Sequence, residues 1–213
     1  MSRYRGPRLR ITRRLGFLPG LTTKKSKNIN PPGDHGAEMA KKKKRNKLSQ
    51  YSLGLLEKQK LRFNYGVTER QLFNYVRKAR RAPDSSGDVL LRLLEMRLDN
   101  IVYRLGMAPT IAAARQLINH GHVLVNDERV SFPSYQCKLL DQIKFKTIVA
   151  TQQSESADRA SRQKRTKLRY RTPRHLQFNY RTAVGTVKNI ADRTVVSLKI
   201  NELLVIEFYS RKF

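Results

Sequence analysis

The chain has 213 residues, enough for one or two globular domains, and its 45 Lys and Arg against 16 Asp and Glu give a formal net charge of +29. A chain this positive requires a polyanionic partner, and the basic run at 41–47 has no apolar helical face behind it, which argues against a membrane surface. Nucleic acid is the favoured partner, because Lys and Arg that neutralise phosphates release condensed counterions.

The positive charge lies mostly outside the centre of the chain. It amounts to +13 in residues 1–48 and +7 in 147–182, against +4 in 49–95, +3 in 96–146 and +2 in 183–213. Because blocks of like charge repel one another, we expect the two most basic segments to be poorly ordered without their partner.

Residues 1–48 are predicted to be an extended basic N-terminal arm, because nine glycines and prolines between Gly6 and Gly36 prevent a long helix. Within the arm, PPGDHG at 31–36 is predicted to form a defined turn that sets the arm against RNA, followed by the basic cluster KKKKRNK at 41–47. A disordered, solvated tail is the alternative interpretation.

A helical domain is predicted for residues 49–95, completed by residues 183–213. The first helix places Tyr51, Leu55 and Leu56 on one face at 3.6-residue spacing, and its basic residues point elsewhere. This face is expected to be the buried one.

The next helix begins at a capping box formed by Thr68 and Gln71, and its expected buried side carries Leu72, Tyr75 and Val76. The opposite side is basic: Arg70, Arg77, Lys78, Arg80 and Arg81. We interpret this side as a phosphate-binding face, with a solvated charged face as the alternative.

A small α+β domain with a basic extension is predicted for residues 96–182. An apolar stripe from Val89 to Leu105 indicates a helix that ends at Gly106, and a second helix is expected from Thr110 to a left-handed cap at Gly121. The two helices would then pack against a small twisted sheet.

The strands of this sheet follow from a change to period two after Gly121. They are predicted at Val123–Val125, from Val130, and at 142–149, with a turn at 126–128. Residues 150–182 lose this regularity and are interpreted as a helix or a linker. The final segment 201–210 fits either a helix capped by Asn201 or a buried strand, and the helix is favoured.

The chain offers little for metal or redox chemistry. The single cysteine, Cys137, excludes an intramolecular disulfide and a thiolate cluster, and the four histidines are too scattered for a zinc site. The chain has no apolar run of about 20 residues and no signal-peptide core, so we expect no membrane span and no export signal.

The tripeptide Arg97-Leu98-Asp99 matches a short element of RNA pseudouridine synthases, in which Asp99 would be the nucleophile. It lies inside a helical stripe, however, with no catalytic domain of the required size after it. Asp99 is therefore expected to pair with a neighbouring arginine or to cap a helix, and no enzymatic activity is predicted.

The segment RLDNIVYRLGMAPTIAAARQLINHGHVLVN (97–126), followed by SFPSYQC (131–137), resembles the RNA-binding domain of the small-subunit ribosomal protein S-four family. Four other blocks are similar to the same family in the same order: PPGDHG, EKQKLRFNYGVTERQLFNYV (57–76), LLRLLEMRLDN (90–100) and INELLVIEFYSR (200–211). The resemblance covers nearly the whole chain apart from about 147–182. LGMAPTI and ELLVIEFYSR are most similar to plastid and cyanobacterial members.

The resemblance implies a primary assembly protein that binds a multi-helix junction of small-subunit rRNA. Such RNA is recognised by phosphates, 2′-hydroxyls and shape, because A-form helices hide their base edges. Arg97, Arg104 and Arg115 would then be bidentate phosphate clamps, with Arg115 placed outward by helical spacing. The family further implies contact with ribosomal protein S-five, an influence on decoding accuracy, messenger RNA near residues 41–47, and a ribosome in the chloroplast stroma.

Many members carry a basic residue where Ile111 stands, and some hold zinc through N-terminal cysteines that this chain lacks, so no metal or other cofactor is expected. A free RNA chaperone that acts on stalled ribosomal subunits is a further alternative, and it would need only the central module. The residues predicted to contact RNA are Arg3, Tyr4, Arg8, Arg10, Lys41, Lys42, Lys43, Lys44, Arg45, Lys58, Lys60, Arg62, Arg70, Arg77, Arg80, Arg97, Asn100, Arg104, Arg115, Gln116, His120, His122, Ser134, Tyr135 and Gln136.

Overall fold

The computed structural model describes residues 4, 6–28, 30–38, 49–145, 172–179 and 182–211. In chain order the helices are α1 (Arg8–Leu15), α2 (Gln50–Asn64), α3 (Glu69–Arg80), α4 (Ser86–Glu95), α5 (Leu98–Arg104), α6 (Ile111–Asn119) and α7 (Glu202–Ser210), with a 3₁₀ turn at Arg193–Val195. The strands are β1 (Val123–Val125), β2 (Glu128–Arg129), β3 (Gln142–Phe145), β4 (Leu176–Asn179) and β5 (Val184–Val187). The predicted α+β class is confirmed.

Contacts between Cα atoms divide the chain into two units. The first comprises Met1–Leu94 with Asp192–Phe213, and the second comprises Glu95–Ala191. No helix within the described ranges is both long enough and apolar enough to cross a membrane.

The N-terminal arm contains a helix, α1, that its sequence pattern does not predict. Pro7 stands at its N-cap, and Gly16, with φ 93°, follows its last residue and donates its N–H to the Thr12 carbonyl. Proline and glycine interrupt the interior of a helix, but proline is tolerated where a helix starts and glycine is favoured just after its end. With Ile11 and Leu18 buried, the prediction of an extended arm is wrong for residues 8–15.

The predicted turn at 31–36 is confirmed. Gly33 adopts φ 104°, and the N–H of Gly36 donates to the Gly33 carbonyl at 3.0 Å. The Arg13 guanidinium donates to the carbonyls of Asn30 at 2.8 Å and Pro31 at 3.2 Å, so this turn is fastened to α1. The basic cluster at 41–47 lies outside the described residues, and the orientation of the turn towards RNA stays a prediction.

Two predicted helix starts are present in the first unit. Thr68 and Gln71 form the capping box, each side chain accepting from the other residue's backbone N–H. The favoured helix at 201–210 is confirmed as α7, which begins where the Asn201 side chain accepts from the N–H of Leu203 at 3.2 Å.

The buried face of α2 differs from the predicted one. Tyr51 is 54% exposed, whereas Gly54, Lys58 and Leu61 are buried. The reason lies in the approach of α7, because a Cβ at Gly54 would meet the Leu204 carbonyl oxygen at 3.2 Å. Glycine at this position lets the two helices pack closely, and this contact sets the rotation of α2.

The apolar stripe predicted as one helix is broken at Met96 and Arg97 into α4 and α5. The break is held by residues that follow the β1–β2 hairpin: Leu98 N–H donates to the Tyr135 carbonyl, and Cys137 N–H donates to the Met96 carbonyl, each at 2.9 Å. Arg97 itself forms an isolated antiparallel bridge with Gln136. Periodicity alone cannot detect this break, because the apolar spacing continues through it.

The sheet is antiparallel with strand order β2-β1-β3-β5-β4. The predictions were wrong for two of its strands. Strand β2 lies at Glu128–Arg129 rather than from Val130, and β4 lies in a segment that was interpreted as a helix or a linker. Its four residues, with Leu176 buried and Gln177 exposed, are too few to establish a period. Residues 146–149 of the predicted third strand lie outside the described residues.

Strand β5 also bears on the predicted domain organisation. Val184–Val187 pairs with both β3 and β4, so this part of 183–213 lies in the sheet rather than with the helices. A Cβ at Gly185 would lie 2.3 Å from Leu105 Cδ1, so β5 packs directly under the end of α5. The boundaries 49–95, 96–182 and 183–213 themselves stay a prediction.

The predicted turns that frame α6 and β1 are present. Thr110 caps α6 by accepting from the N–H of Ala113 at 3.2 Å, and Gly121 has the left-handed φ of 72°. The hairpin turn after β1 places Asn126 at φ 51° and Asp127 at φ 68°, a conformation that Asn and Asp tolerate better than most residues.

Candidate nucleic-acid interface

Arg97 is inside the second unit, not on its surface. Its side chain is 2% exposed, and its guanidinium donates to both carboxylate oxygens of Asp99, at 3.0 and 2.8 Å. The expected pairing of Asp99 with a neighbouring arginine is thereby confirmed. A phosphate contact by Arg97 does not fit this placement, because a guanidinium this buried presents no donor to a ligand at the surface.

Arg115 also reaches Asp99. Its Nε donates to Asp99 Oδ2 at 2.7 Å, and its side chain is 12% exposed. Helical spacing predicts an outward Arg115, but that spacing fixes only the direction of Cβ, and the long side chain folds back to the carboxylate. A buried carboxylate without such partners would be costly, which gives the protein a physical reason for this pairing.

A second buried carboxylate, Glu95, holds two more residues from the predicted RNA-contact set. The Arg104 guanidinium donates to Glu95 at 2.7 and 3.1 Å, and the Asn100 amide donates to the Glu95 carbonyl at 3.0 Å. Asn100 is buried, so its predicted RNA contact does not fit the structure either. Glu95, Asp99, Arg97, Arg104 and Arg115 are called the buried ion-pair cluster below.

The other predicted residues of the second unit lie at or near the surface. Gln116, His120 and Ser134 are exposed, and His122, Tyr135 and Gln136 are half-buried. The rings of His120 and His122 are nearly parallel, with their centroids 6.0 Å apart. Burial raises the pKa of the Tyr135 hydroxyl, and the nearby Asp141 carboxylate adds to this, so Tyr135 stays a neutral hydrogen-bonding group at neutral pH.

Arg129 is an exposed basic residue that the sequence pattern did not single out. It follows the Asn126-Asp127 turn in β2, and its guanidinium lies against the bare Cα of Gly121. A signal was present, because a hairpin returns the chain towards its own start and brings Arg129 back beside the His120-Gly121-His122 segment.

In the first unit the predicted basic side of α3 is exposed. Its basic residues all face solvent: Arg70, Arg77, Lys78, Arg80 and Arg81. The buried residues Leu72, Val76 and Ala79 lie on the opposite side of the helix. At 100° per residue, the Cα positions of 70, 77 and 81 fall within about 40° of one another around the helix axis, which makes a basic row along α3.

The basic residues of α2 are largely engaged within the protein. Lys58 is 6% exposed and pairs with Glu69 at 2.9 Å, so it is not available to RNA. Lys60 pairs with Glu57 at 2.5 Å, and the Arg62 guanidinium lies over the Phe63 ring, 5.3 Å from its centroid. These contacts remove Lys58 from the candidate surface and leave Lys60 and Arg62 half-buried.

The predicted N-terminal contacts are only partly described. Tyr4, Arg8 and Arg10 are exposed, and the edge of the Tyr4 ring contacts Phe63 with centroids 5.7 Å apart. Arg3, Lys41, Lys42, Lys43, Lys44 and Arg45 lie outside the described residues.

The remaining titratable groups are structural in character. Partial burial acts to raise the pKa of the Glu69 carboxyl, but hydrogen bonds from Lys58 and Tyr209 outweigh it and hold that pKa below its ordinary value. Burial raises the pKa of the Cys137 thiol well above its usual range, so no thiolate forms at neutral pH. Within the described ranges, no three His, Cys, Asp or Glu residues are grouped as a metal site would require.

Two family models match adjoining parts of the chain: the ribosomal protein S4/S9 N-terminal domain over residues 3–95 and the S4 domain over residues 96–143. The small ribosomal subunit protein uS4c of Tupiella akineta is 55% identical over 211 residues, which covers 99% of this chain and all of that protein. The uS4c of Rosulabryum capillare and the uS4 of Acaryochloris marina are 55% and 54% identical, each over the full length of both chains. The chain therefore belongs to the uS4 family of small ribosomal subunit proteins, the family that its motifs resemble.

Proposed function

We propose that the protein is a structural component of the small ribosomal subunit that binds a multi-helix junction of the subunit's rRNA and helps to start assembly of the subunit body. The names of its full-length relatives support this, as does a net charge of +29. The recognition is by shape and by phosphate contacts, since the base edges of A-form RNA are out of reach in its deep major groove.

The observation that carries the proposal is the exposed basic side of α3. Its five cations share the helix with one acidic residue, Glu69, and that carboxylate is engaged by Lys58 and Tyr209. Exposed cations aligned along one side of a helix, here Arg70, Arg77 and Arg81, are suited to consecutive phosphates of an RNA backbone. The buried residues opposite them anchor α3 in its unit, so the row is held in a fixed position.

The second unit contributes shape. Its buried ion-pair cluster uses three arginines to fix α5 and α6 against each other and against residue 95, leaving Gln116, His120, His122 and Ser134 to meet the RNA. A site on rigid elements positions its contact residues more accurately than one on mobile loops. We therefore assign Arg97, Arg104 and Arg115 to the support of the RNA-binding surface.

Three further parts of the proposal rest on family resemblance. They are a border with ribosomal protein S-five, an influence on decoding accuracy, and contact of residues 41–47 with messenger RNA where it enters the subunit. A plastid ribosome is proposed as the location, supported by uS4c relatives from Tupiella akineta and Rosulabryum capillare beside cyanobacterial uS4 proteins. A pseudouridine synthase does not fit this geometry, because its nucleophile would be Asp99, which is 1% exposed and paired with two arginines.

The test is binding of the full-length protein to a transcript of the rRNA junction between 50 and 200 mM salt. We expect affinity to fall by roughly 10³-fold or more, because several phosphates are neutralised. The variant Arg70→Gln/Arg77→Gln/Arg81→Gln should bind more weakly with a shallower salt slope. The matched control Arg174→Gln/Lys188→Gln/Lys199→Gln removes the same charge from exposed positions outside α3 and should lose less affinity.

A flat salt dependence, or equal losses for the two triple variants, would contradict the role of the α3 row. Co-sedimentation separates a subunit component from a free chaperone. A component remains with mature small subunits after a high-salt wash, whereas a chaperone is found only on immature or stalled particles.

A further inference from the structure

The end of α6 brings two histidines together at the surface. His120 is exposed, His122 is half-buried, and their rings are 6.0 Å apart and inclined by 21°. Between them stands Gly121, whose φ of 72° turns the chain out of the helix. Both rings therefore lie at the same turn, one exposed and one half-buried.

Arg129 completes this group. A Cβ on Gly121 would lie 2.0 Å from Arg129 Nε and 2.4 Å from its Cζ, so the guanidinium rests on a space that only glycine leaves open. Gly121 thus serves both the left-handed turn and the seat of a guanidinium. His120, His122 and Arg129 are called the His-Arg patch below.

The charged groups around the patch do not neutralise it. Asp127, in the adjoining turn, is paired with Lys144 on β3 at 2.8 and 3.1 Å. Glu128 precedes Arg129 in β2, so its side chain points to the other face of the strand, where its charge acts on Tyr135.

The elements that adjoin the patch add no carboxylate. From α6, Gln116 and Asn119 are neutral and Arg115 is occupied by Asp99; β1 contributes only apolar side chains. Throughout the part of the chain that the structure describes, no salt bridge to a carboxylate involves a residue of the patch.

We infer that the His-Arg patch is a backbone-phosphate site whose histidines take up protons when RNA binds, so that RNA affinity rises as pH falls from 8 to 6. This inference rests on the proposed function and specifies one contact of it. Arg129 supplies a permanent charge and a planar fork of donors, which suits phosphate oxygens. Each histidine is a single donor when neutral, and gains a second donor and a charge when protonated.

The sign of the pH effect follows from linkage. The two rings lie 6.0 Å apart beside the Arg129 guanidinium, so one phosphate group at the patch can contact all three side chains. A phosphate places negative charge beside both rings and therefore favours their protonated forms when RNA is bound. Binding is then strengthened at pH values below the histidine pKa of the complex, and this gain is lost as pH rises through it.

The experiment measures junction affinity at pH 6.0 and pH 8.0 in phosphate-free buffer at constant ionic strength. We expect the protein to bind at least about fivefold more tightly at pH 6.0, because proton uptake on RNA binding strengthens binding at the lower pH. His120→Gln/His122→Gln should remove this difference, so that the binding that remains is equal at the two pH values. The control His35→Gln changes an exposed histidine 3.4 Å from Glu38 and should keep the difference.

Two further measurements keep the inference testable if the double variant is unstable. His120→Gln alone, at an exposed position, should reduce the pH difference without loss of thermal stability. Arg129→Gln should weaken binding at both pH values and reduce the salt slope by about one. The histidine proton resonances, followed by NMR, should titrate at higher pH in the RNA complex than in the free protein.

The outcomes separate the patch from the wider proposal. Saturable junction binding that is equal at the two pH values, or that keeps its pH difference in both histidine variants, overturns the phosphate site and leaves the proposed function standing. Absence of junction binding at every pH overturns the proposed function itself. If inorganic phosphate shifts the histidine resonances while RNA does not, the site binds free phosphate and the inference about RNA is wrong.

Discussion

The exposed row on α3 and the buried ion-pair cluster are both built from arginines, yet they have opposite roles. On α3 the arginines share their helix with one acidic residue that is already engaged, so they project into solvent. In the second unit Glu95 and Asp99 lie inside the fold, and each draws arginines inward. In this protein, an arginine is buried where it pairs with a buried carboxylate and exposed where it does not. The number of basic residues in a segment does not distinguish these two cases.

The strongest way to break this comparison is to remove the carboxylate that organises the cluster. Asp99→Ala removes the buried carboxylate that accepts from Arg97 and Arg115, and we expect it to cost about 3–5 kcal/mol of folding free energy in the second unit. Denaturant unfolding measures this loss. Asp127→Asn, which removes an exposed partner of Lys144, is the matched control and should cost less than about 1 kcal/mol. Equal small losses would mean that the cluster is dispensable.

A crossed pair of substitutions comes next. Arg104→Ala leaves the buried Glu95 without its main cationic partner and should destabilise the second unit by about 3 kcal/mol. Arg77→Ala should leave the unfolding transition unchanged and weaken junction binding by roughly five- to tenfold, as the loss of a phosphate contact does. If Arg104→Ala instead lowered RNA affinity and left the folding stability unchanged, the Arg104 guanidinium of the wild-type protein would have to contact RNA rather than Glu95.

Arg115→Ala sharpens the comparison, since Arg115 is the more exposed of the two arginines that pair with Asp99. Arg97 remains as a partner, so we expect a smaller loss of about 1–3 kcal/mol. Thermal unfolding at pH 7 checks this, and the RNA affinity of the folded fraction should change little. The conservative Arg115→Lys keeps the charge but loses the guanidinium geometry, and it should recover part of the stability.

The smallest expected effect concerns pH and the first unit. Because the pKa of Glu69 is lowered in the fold, its contribution to stability is present above its unfolded pKa of about 4.3 and is lost as pH falls through the folded value. Glu69→Gln should therefore show a shallower loss of stability between about pH 5 and pH 3 than the wild-type protein. Asp192→Asn, at an exposed position, should leave the acid profile of the wild type intact.

Local signals in the sequence were sufficient for several helix ends and turns. The capping box at Thr68, the cap at Thr110, the left-handed Gly121 and the cap at Asn201 each depend on a side chain or a dihedral angle within a few residues of itself. The placement of arginines was not accessible in this way. Asp99 and Arg115 are 16 residues apart, and their contact depends on how α5 and α6 pack.

The same distinction explains the missed elements. Strand β4 has four residues, and its backbone pairs with that of β5. The partner that stabilises it therefore begins eight residues further along the chain. The break between α4 and α5 is set by backbone hydrogen bonds from residues near 135. Helix α1 is different, because its proline and glycine were visible but were interpreted as interruptions rather than as ends.

The position of β5 has a consequence for the order in which the protein is made. Strand β5 lies between β3 and β4, and α7 packs on α2, so both units are completed by residues after 183. During synthesis from the N- to the C-terminus, one edge of β3 stays unpaired and one face of α2 stays uncovered until the residues after 183 have been made. A shortened chain that ends before β5 would lack both β5 and α7. Neither the sheet nor the helical unit could then form completely, so folding of both units depends on synthesis of the residues after 183.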